Sequence, residues 1–532
     1  MLHGNECFAQ RLASFYNAPT LSHHARALDG VFVKVKVAGP AVGETRRWAA
    51  VCLTDPEFVP AIEVRMAAVV QGCGPVASVE AKVQRKELPV GSPSNASSTV
   101  PQPVALLRRL IQFDTTNPPG RVAECISFID GLLTDAGIQT TILALDDAHP
   151  NLIARLPGRG DAPPLLLYGH VDVVTTANQS WQHPPFAAEV ADGFVWGRGA
   201  LDMKGAVAMM LTALLRAKAD GLVPPSDVLL ALVCDEETLG ENGAKFLVEQ
   251  HADLFDGVRY AIGEVGGFTL YVGGRRFYPI MVAEKQVCWL QATVRGPGGH
   301  ASMPARGGAM ARLARLLARL DRRRLPVHVT PASRLMLTTM ADALGGPTGL
   351  LLGRLLNPLL TDRVLDLLGE RGRIFDSLLH NTVCPTILHA SEKINVIPGT
   401  VSVELDGRLL PGYGPDDLTA EVMRLAGSDV ALEVVQYEPG PAEPDMGLFD
   451  TLSGVLREAD PAGIPVPTLV PGVTDGRVFS RLGIQTYGFM PMQLPEGLSF
   501  TQTIHGADER IPVEAVDFGA GAIYALLQRF GG

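Results

Sequence analysis

From Val104 onward the chain interleaves two kinds of apolar pattern. Short continuous apolar runs at 151–156, 165–169, 228–234 and 260–262 predict strands buried on both faces. Between them, at 106–113, 125–136, 204–219 and 243–250, apolar residues recur every three or four positions, the period of a helix with one buried face. This alternation predicts an α/β fold, a mostly parallel sheet flanked by helices. In such sheets ligands collect at the carboxyl ends of the strands. His170, Asp172, Glu236, Glu237 and Glu264 all fall there.

Near residue 286 the pattern changes. Residues 287–294 alternate strictly, as a half-buried strand does. Residues 308–320 form an amphipathic helix, with Leu313, Leu316, Leu317 and Leu320 on one side and Arg312, Arg315 and Arg319 on another. A strand at 401–409, a helix at 417–425 and a strand at 430–437 follow. We read residues 287–440 as an inserted α+β lid domain that interrupts a catalytic domain made of 104–286 and 441–532. The insertion leaves a cleft between two domains, a favoured place for a ligand. Residues 1–86 form an N-terminal extension without motifs, strand-like at 31–37 and 79–83. Residues 87–103 (ELPVGSPSNASSTVPQP) read as a Pro/Ser-rich linker.

Composition narrows the classes. At 532 residues the chain needs more than one core. A net charge of -11 leaves no basic excess for phosphates, so a nucleic-acid partner is not expected. The seven cysteines are scattered, with no CxxC pair, and are expected to be reduced thiols. The N-terminus lacks an apolar signal core. The longest apolar stretch, 350–368, is broken by Arg354, Pro358, Asp362 and Arg363, so no membrane span is predicted and a cytoplasmic protein is expected.

The richest stretch runs from Leu165 to Glu237: LLLYGHVDVV, then WGRGALDMKG, then LLALVCDEETLG. Imidazoles and carboxylates at buried strand ends are what a hydrolytic metal centre needs. Two neighbouring zinc ions take nitrogen and oxygen ligands and share one bridge. The candidates are His170, Asp202, Glu237, Glu264 and a distal histidine, read as His505, with His389 as its competitor. A further carboxylate must take the proton of the attacking water, and Glu236 is placed for it. Asp172 lies two residues from His170, on the same face of an extended chain, and can orient the imidazole.

The motifs GHVDVV, GRGALDMKG, DEE, GE, GGHAS, NVIPG and TDGR…HGADE occur in this order. The chain thereby resembles the zinc-dependent exopeptidases and deacylases that include carboxypeptidase G, aminoacylase, acetylornithine deacetylase and succinyl-diaminopimelate desuccinylase. The resemblance spans about residues 104–530. It implies two Zn2+ per chain, with Co2+ or Mn2+ as substitutes: one held by His170 and Glu264, the other by Glu237 and His505, both bridged by Asp202. It further implies Glu236 as general base, Asp172 as orienting acid, His300 as oxyanion donor, and Asn395 and Arg408 as anchors for the substrate carboxylate or amide. The peptide bond after Asp202 is often cis in this family.

The N-terminal hundred residues and an apolar segment at 335–379 depart from the common pattern. A similarly long insertion occurs in the carboxypeptidase S-like and N-acyl-amino-acid hydrolase branch. The resemblance allows a homodimer in which His300 reaches the neighbouring site, and the insertion leaves that geometry open. The expected activity is hydrolysis of an amide bond next to a free carboxylate, in an N-acyl amino acid or short peptide. The rivals are a small-metabolite deacylase of the acetylornithine or succinyl-diaminopimelate type, and a catalytically silent binding protein on the same fold.

Overall fold

The computed structural model describes residues 100–531 except Ser428, together with three strands of the N-terminal segment. Those strands, Val31–Val37, Ala49–Leu53 and Val79–Val83, form an antiparallel sheet with Val31–Val37 in the centre. They belong to a unit ending at Ser97, and a second unit runs from Ser98 to Gly532. Most of the expected linker, 87–99, lies outside the described residues.

The second unit is built on a nine-stranded sheet. Its centre is parallel: Gln485–Gly488, Tyr260–Gly263, Leu165–His170 and Val228–Val233 lie side by side. The margins are not. Pro150–Leu156 and Gln139–Ala144 run antiparallel on one side. On the other, Arg275–Glu284 pairs antiparallel with Leu270–Val272 and parallel with Ile464–Val470. The sheet is therefore mixed, with parallel pairing concentrated where the apolar runs are longest. Leu165–His170 and Val228–Val233 are buried at every position because helices cover both faces. One face receives Lys204–Ala219, almost wholly buried, packed against Val513–Arg529 and Pro103–Ile111. The other receives Ala244–Gln250 and Phe479.

Residues 286–438 carry a second, antiparallel sheet, ordered Thr382–His389, Thr400–Leu409, Gln286–Arg295, Val430–Glu438. Along Thr400–Leu409 burial alternates, and the buried positions face the helices Ala309–Arg322 and Pro415–Ala426. The apolar segment at 335–379 forms four helices, Pro331–Leu344, Gly346–Arg354, Thr361–Leu368 and Arg373–Leu379. Their buried side chains, among them Met336, Leu352, Leu365 and Leu379, join the core of the large sheet and not that of the smaller sheet. No helix among the described residues is long and apolar enough to cross a membrane.

Candidate metal centre

Three adjacent parallel strands end at one place. Leu165–His170 delivers His170, Tyr260–Gly263 is followed by Glu264, and Val228–Val233 leads into a single tight turn, Glu236–Thr238. That turn places Glu236 and Glu237 in succession at the same rim, which an extended chain would have sent to opposite faces. Asp202 comes from the Gly-rich turn before Lys204–Ala219, and the bond Asp202–Met203 is cis. A β-carbon on Gly169 would stand 2.8 Å from the Met203 side chain, so glycine there lets this turn lie against the His170 strand. His505 arrives from a loop preceding the strand Arg510–Pro512.

Asp202 faces both imidazoles. Its Oδ1 lies 3.2 Å from His170 Nε2 and its Oδ2 lies 3.1 Å from His505 Nε2. Glu264 Oε2 is 3.6 Å from His170 Nε2, and Glu237 Oε2 is 3.4 Å from His505 Nε2. The ligand atoms thus form two triads that share Asp202, His170–Asp202–Glu264 and Asp202–Glu237–His505, each within 4.8 Å. The first is buried; the second opens to solvent through His505. Glu237 Oε1 and Glu264 Oε1 are buried with no hydrogen-bond partner. Buried carboxylate oxygens left bare beside two imidazoles fit a pair of cations.

The charges of the cluster act on one another at short range. Burial opposes a charged His170, yet Asp172, Asp202 and Glu264 outweigh it and hold its pKa well above the usual imidazole value. Asp202 and Glu237 raise His505 to about 10. Burial raises Glu236, and the charges of Glu264, Asp475 and Glu237 add to the rise. Cations among these acids would reverse that effect and let Glu236 ionise.

Asp172 accepts 2.9 Å from Asn117 Nδ2 and 3.2 Å from the Glu237 backbone. Its carbonyl lies 2.9 Å from His170 Nδ1, with its carboxylate at 3.4 Å. It therefore ties the His170 strand to the Glu237 turn.

The other expected site residues stand apart. His300 is exposed on the short strand Gly299–His300, paired with Val396–Ile397 and 2.7 Å from Ser302 Oγ through Nδ1. Asn395 is exposed beside it, its carbonyl accepting from Ala301 N. Arg408, on Thr400–Leu409, forks onto Asp406 at 2.7 and 3.1 Å. None of the three lines the cleft that contains the two ligand triads. His389 lies on the lid edge strand, bound to Glu404. Sequence pattern does not single out Asn117, Arg198 or Glu509. Arg198 and Glu509 do sit inside the GRG and HGADE motifs, so the signal was present.

The cluster opens into a cleft of about 650 Å³ whose walls are mainly apolar. Phe268 and Phe500 stack at 4.2 Å on one side; Met336, Ile374 and Leu378 from the extra helices form another. A larger cleft of about 850 Å³, beside Arg324, Asp366 and Asp376, holds none of the cluster residues, and its charges pair with one another.

The model of one protein family, Peptidase family M20/M25/M40, matches residues 166–529. The chain belongs to peptidase family M20/M25/M40. This M20/M25/M40 chain is 28% identical to the probable carboxypeptidase S-like 2 of Dictyostelium discoideum, over 67% of this chain and 70% of that one. It is 29% identical to the N-fatty-acyl-amino acid synthase/hydrolase of Homo sapiens, over 69% and 74%. It is 24% identical to Aminoacylase-1 of Mus musculus, over 80% and 95%. Among solved structures, the M20 family metallo-carboxypeptidase Sso-CP2 from Sulfolobus solfataricus superposes with TM-score 0.58 at 15% identity, covering 80% of this chain and 98% of that one. The Bacillus subtilis YXEP protein, a dinuclear metal binding peptidase, superposes with TM-score 0.51 at 16% identity, over 80% and 96%. These likenesses make this M20/M25/M40 chain a metal-dependent hydrolase.

Proposed function

We propose that this enzyme hydrolyses N-acyl amino acids that carry an apolar acyl chain, using two zinc ions. The observation that carries the reading is the apolar cleft opening directly onto two ligand triads that share Asp202. The acyl chain would lie along Phe268, Met336 and Leu378, with the amide carbonyl at the cluster. The names of the human and mouse relatives, a fatty-acyl-amino acid hydrolase and an aminoacylase, favour this class over short peptides.

His170, Glu264, Asp202, Glu237 and His505 would hold the metals. Such ions supply Lewis-acid polarisation of the carbonyl and acidify water. Glu236 takes the proton of the attacking water and passes it to the leaving amine. Asp172 keeps His170 oriented through its backbone carbonyl. His300 donates to the oxyanion once lid closure, or a second copy of the chain, brings it to the cleft. The same movement would have to bring Arg408 and Asn395 to the cleft, where Arg408 would exchange Asp406 for the substrate carboxylate, which its planar fork binds in the same two-pronged way. A cytoplasmic location and a homodimer complete the reading.

The test is Glu236→Ala. It should retain two metals per chain by elemental analysis and lose about 10²–10⁴ in kcat on an N-acyl amino acid. Wild-type turnover by this variant would refute Glu236 as the proton carrier.

A further inference from the structure

One buried ion pair has no part in the chemistry above. Arg198 and Glu509 are 1% and 0% exposed, and Arg198 Nη1 donates to Glu509 Oε2 at 2.6 Å. Replacing such a pair by apolar residues is commonly neutral for stability, so stability alone gives little reason for it. Its remaining hydrogen bonds point to a different role. Glu509 Oε1 accepts from the backbone N–H groups of Leu201 and Asp202, at 2.8 and 3.1 Å. Arg198 Nη2 donates to the His505 carbonyl at 3.2 Å and to Gln179 Oε1 at 2.8 Å. Gln179 Nε2 donates to the same His505 carbonyl at 2.8 Å.

A continuous hydrogen-bonded chain therefore runs from the backbone of the bridging carboxylate to the backbone of the exposed histidine. His505 needs such support. Its φ is 62°, a left-handed conformation that a β-carbon disfavours, and it sits on a loop and not at a strand end. His170 and Glu264, by contrast, are seated at the ends of buried strands.

We propose that Arg198, Glu509 and Gln179 form a positioning clamp that sets the spacing between Asp202 and His505, and thereby the affinity for the second metal. The proposal rests on the two-metal reading. The first metal has two other ligands fixed by the sheet. The second depends on His505 and on Glu237 in its tight turn, so a loosened clamp weakens the second ion selectively.

The experiment uses the full chain, stripped with a chelator and titrated with Zn2+ alone against a chromophoric competitor. Gln179→Ala removes only a half-buried partner; Glu509→Gln keeps the shape and removes the charge. Wild type should take two ions. In each variant the first should bind as in wild type and the second about 10–100-fold more weakly, the usual effect of removing an outer partner of a ligand. The kcat should fall more than KM changes, and excess Zn2+ should restore it. Should Glu509→Gln not fold, Gln179→Ala decides alone. Unchanged second-ion affinity, or equal weakening of both ions, overturns the clamp and leaves the two-metal reading standing. A wild type that takes fewer than two ions overturns that reading and the clamp with it.

Discussion

Asp202 has two carboxylate oxygens, and each faces a different histidine. No other residue of the cluster is common to both triads. Elsewhere at the scale of single residues, Lys285 is 1% exposed, and its Nζ donates to Thr382 Oγ1 at 2.9 Å. It lies between the strand Arg275–Glu284 of the large sheet and the strand Gln286–Arg295 of the smaller one. Burial, helped by the charge of Arg408, lowers its pKa to about 7. An ammonium depressed on folding means that the unfolded chain binds more protons between about pH 7 and the ordinary lysine value near 10.4, so stability rises with pH across that window. Lys285→Met abolishes this contribution. Thermal melts at pH 7 and pH 9.5 should show wild type gaining on the variant at the higher pH. A constant difference would mean Lys285 is not depressed.

At the scale of elements, neighbouring strands and their turns supply the buried half of the site, and the extra helices supply one wall of the cleft. Arg373–Leu379 turns Ile374 and Leu378 toward the cleft. Ile374 is 44% exposed, so a polar residue there is tolerated by the fold. Ile374→Asp should lower kcat/KM for a dodecanoyl amino acid by about tenfold or more, because an ionised carboxylate opposes an apolar chain. Hydrolysis of the N-acetyl analogue should hardly change. Equal loss on both substrates would place the acyl chain elsewhere.

Across the whole molecule, the site is a concentration of like charge inside a hydrophobic core. Asp202, Glu237 and Glu264 converge within two triads, with Glu236 and Asp475 beside them. Burial raises Asp475 to about 7, and the charge of Glu264 adds to the rise. Cations that bind only the folded chain stabilise it by mass action. Chelation should therefore lower the melting temperature by about 5 °C or more, and Zn2+ should restore it. An unchanged melt after verified metal removal would argue against a centre built from these residues. The smaller sheet is tied to the same region, since Glu438, ending the strand Val430–Glu438, accepts from Arg477 at 2.6 Å and lies 3.3 Å from Lys245. Arg477 also donates to the Leu239 carbonyl at 3.1 Å, directly after the Glu236–Thr238 turn, so this ion network reaches the metal-site rim.

What the sequence determined by itself is the part that local pattern controls. Continuous apolar runs marked the central strands, and helical periodicity located Lys204–Ala219 and Ala309–Arg322 closely. Polar groups at the ends of those runs pointed to His170, Glu236, Glu237 and Glu264, because a strand that must be buried can expose chemistry only where it stops. The strands Gln139–Ala144 and Thr382–His389 carry a weak signal, being mostly exposed or without a clean alternation. Tertiary structure alone decided four matters. It set antiparallel margins on the large sheet, since pairing direction depends on connections and not on composition. It packed the extra helices into the core of that sheet, where they wall the cleft. It left His300 exposed on the short strand Gly299–His300, outside the cleft. And it joined Arg198 to Glu509, more than three hundred positions away, because a buried charge finds its partner through space, not along the chain.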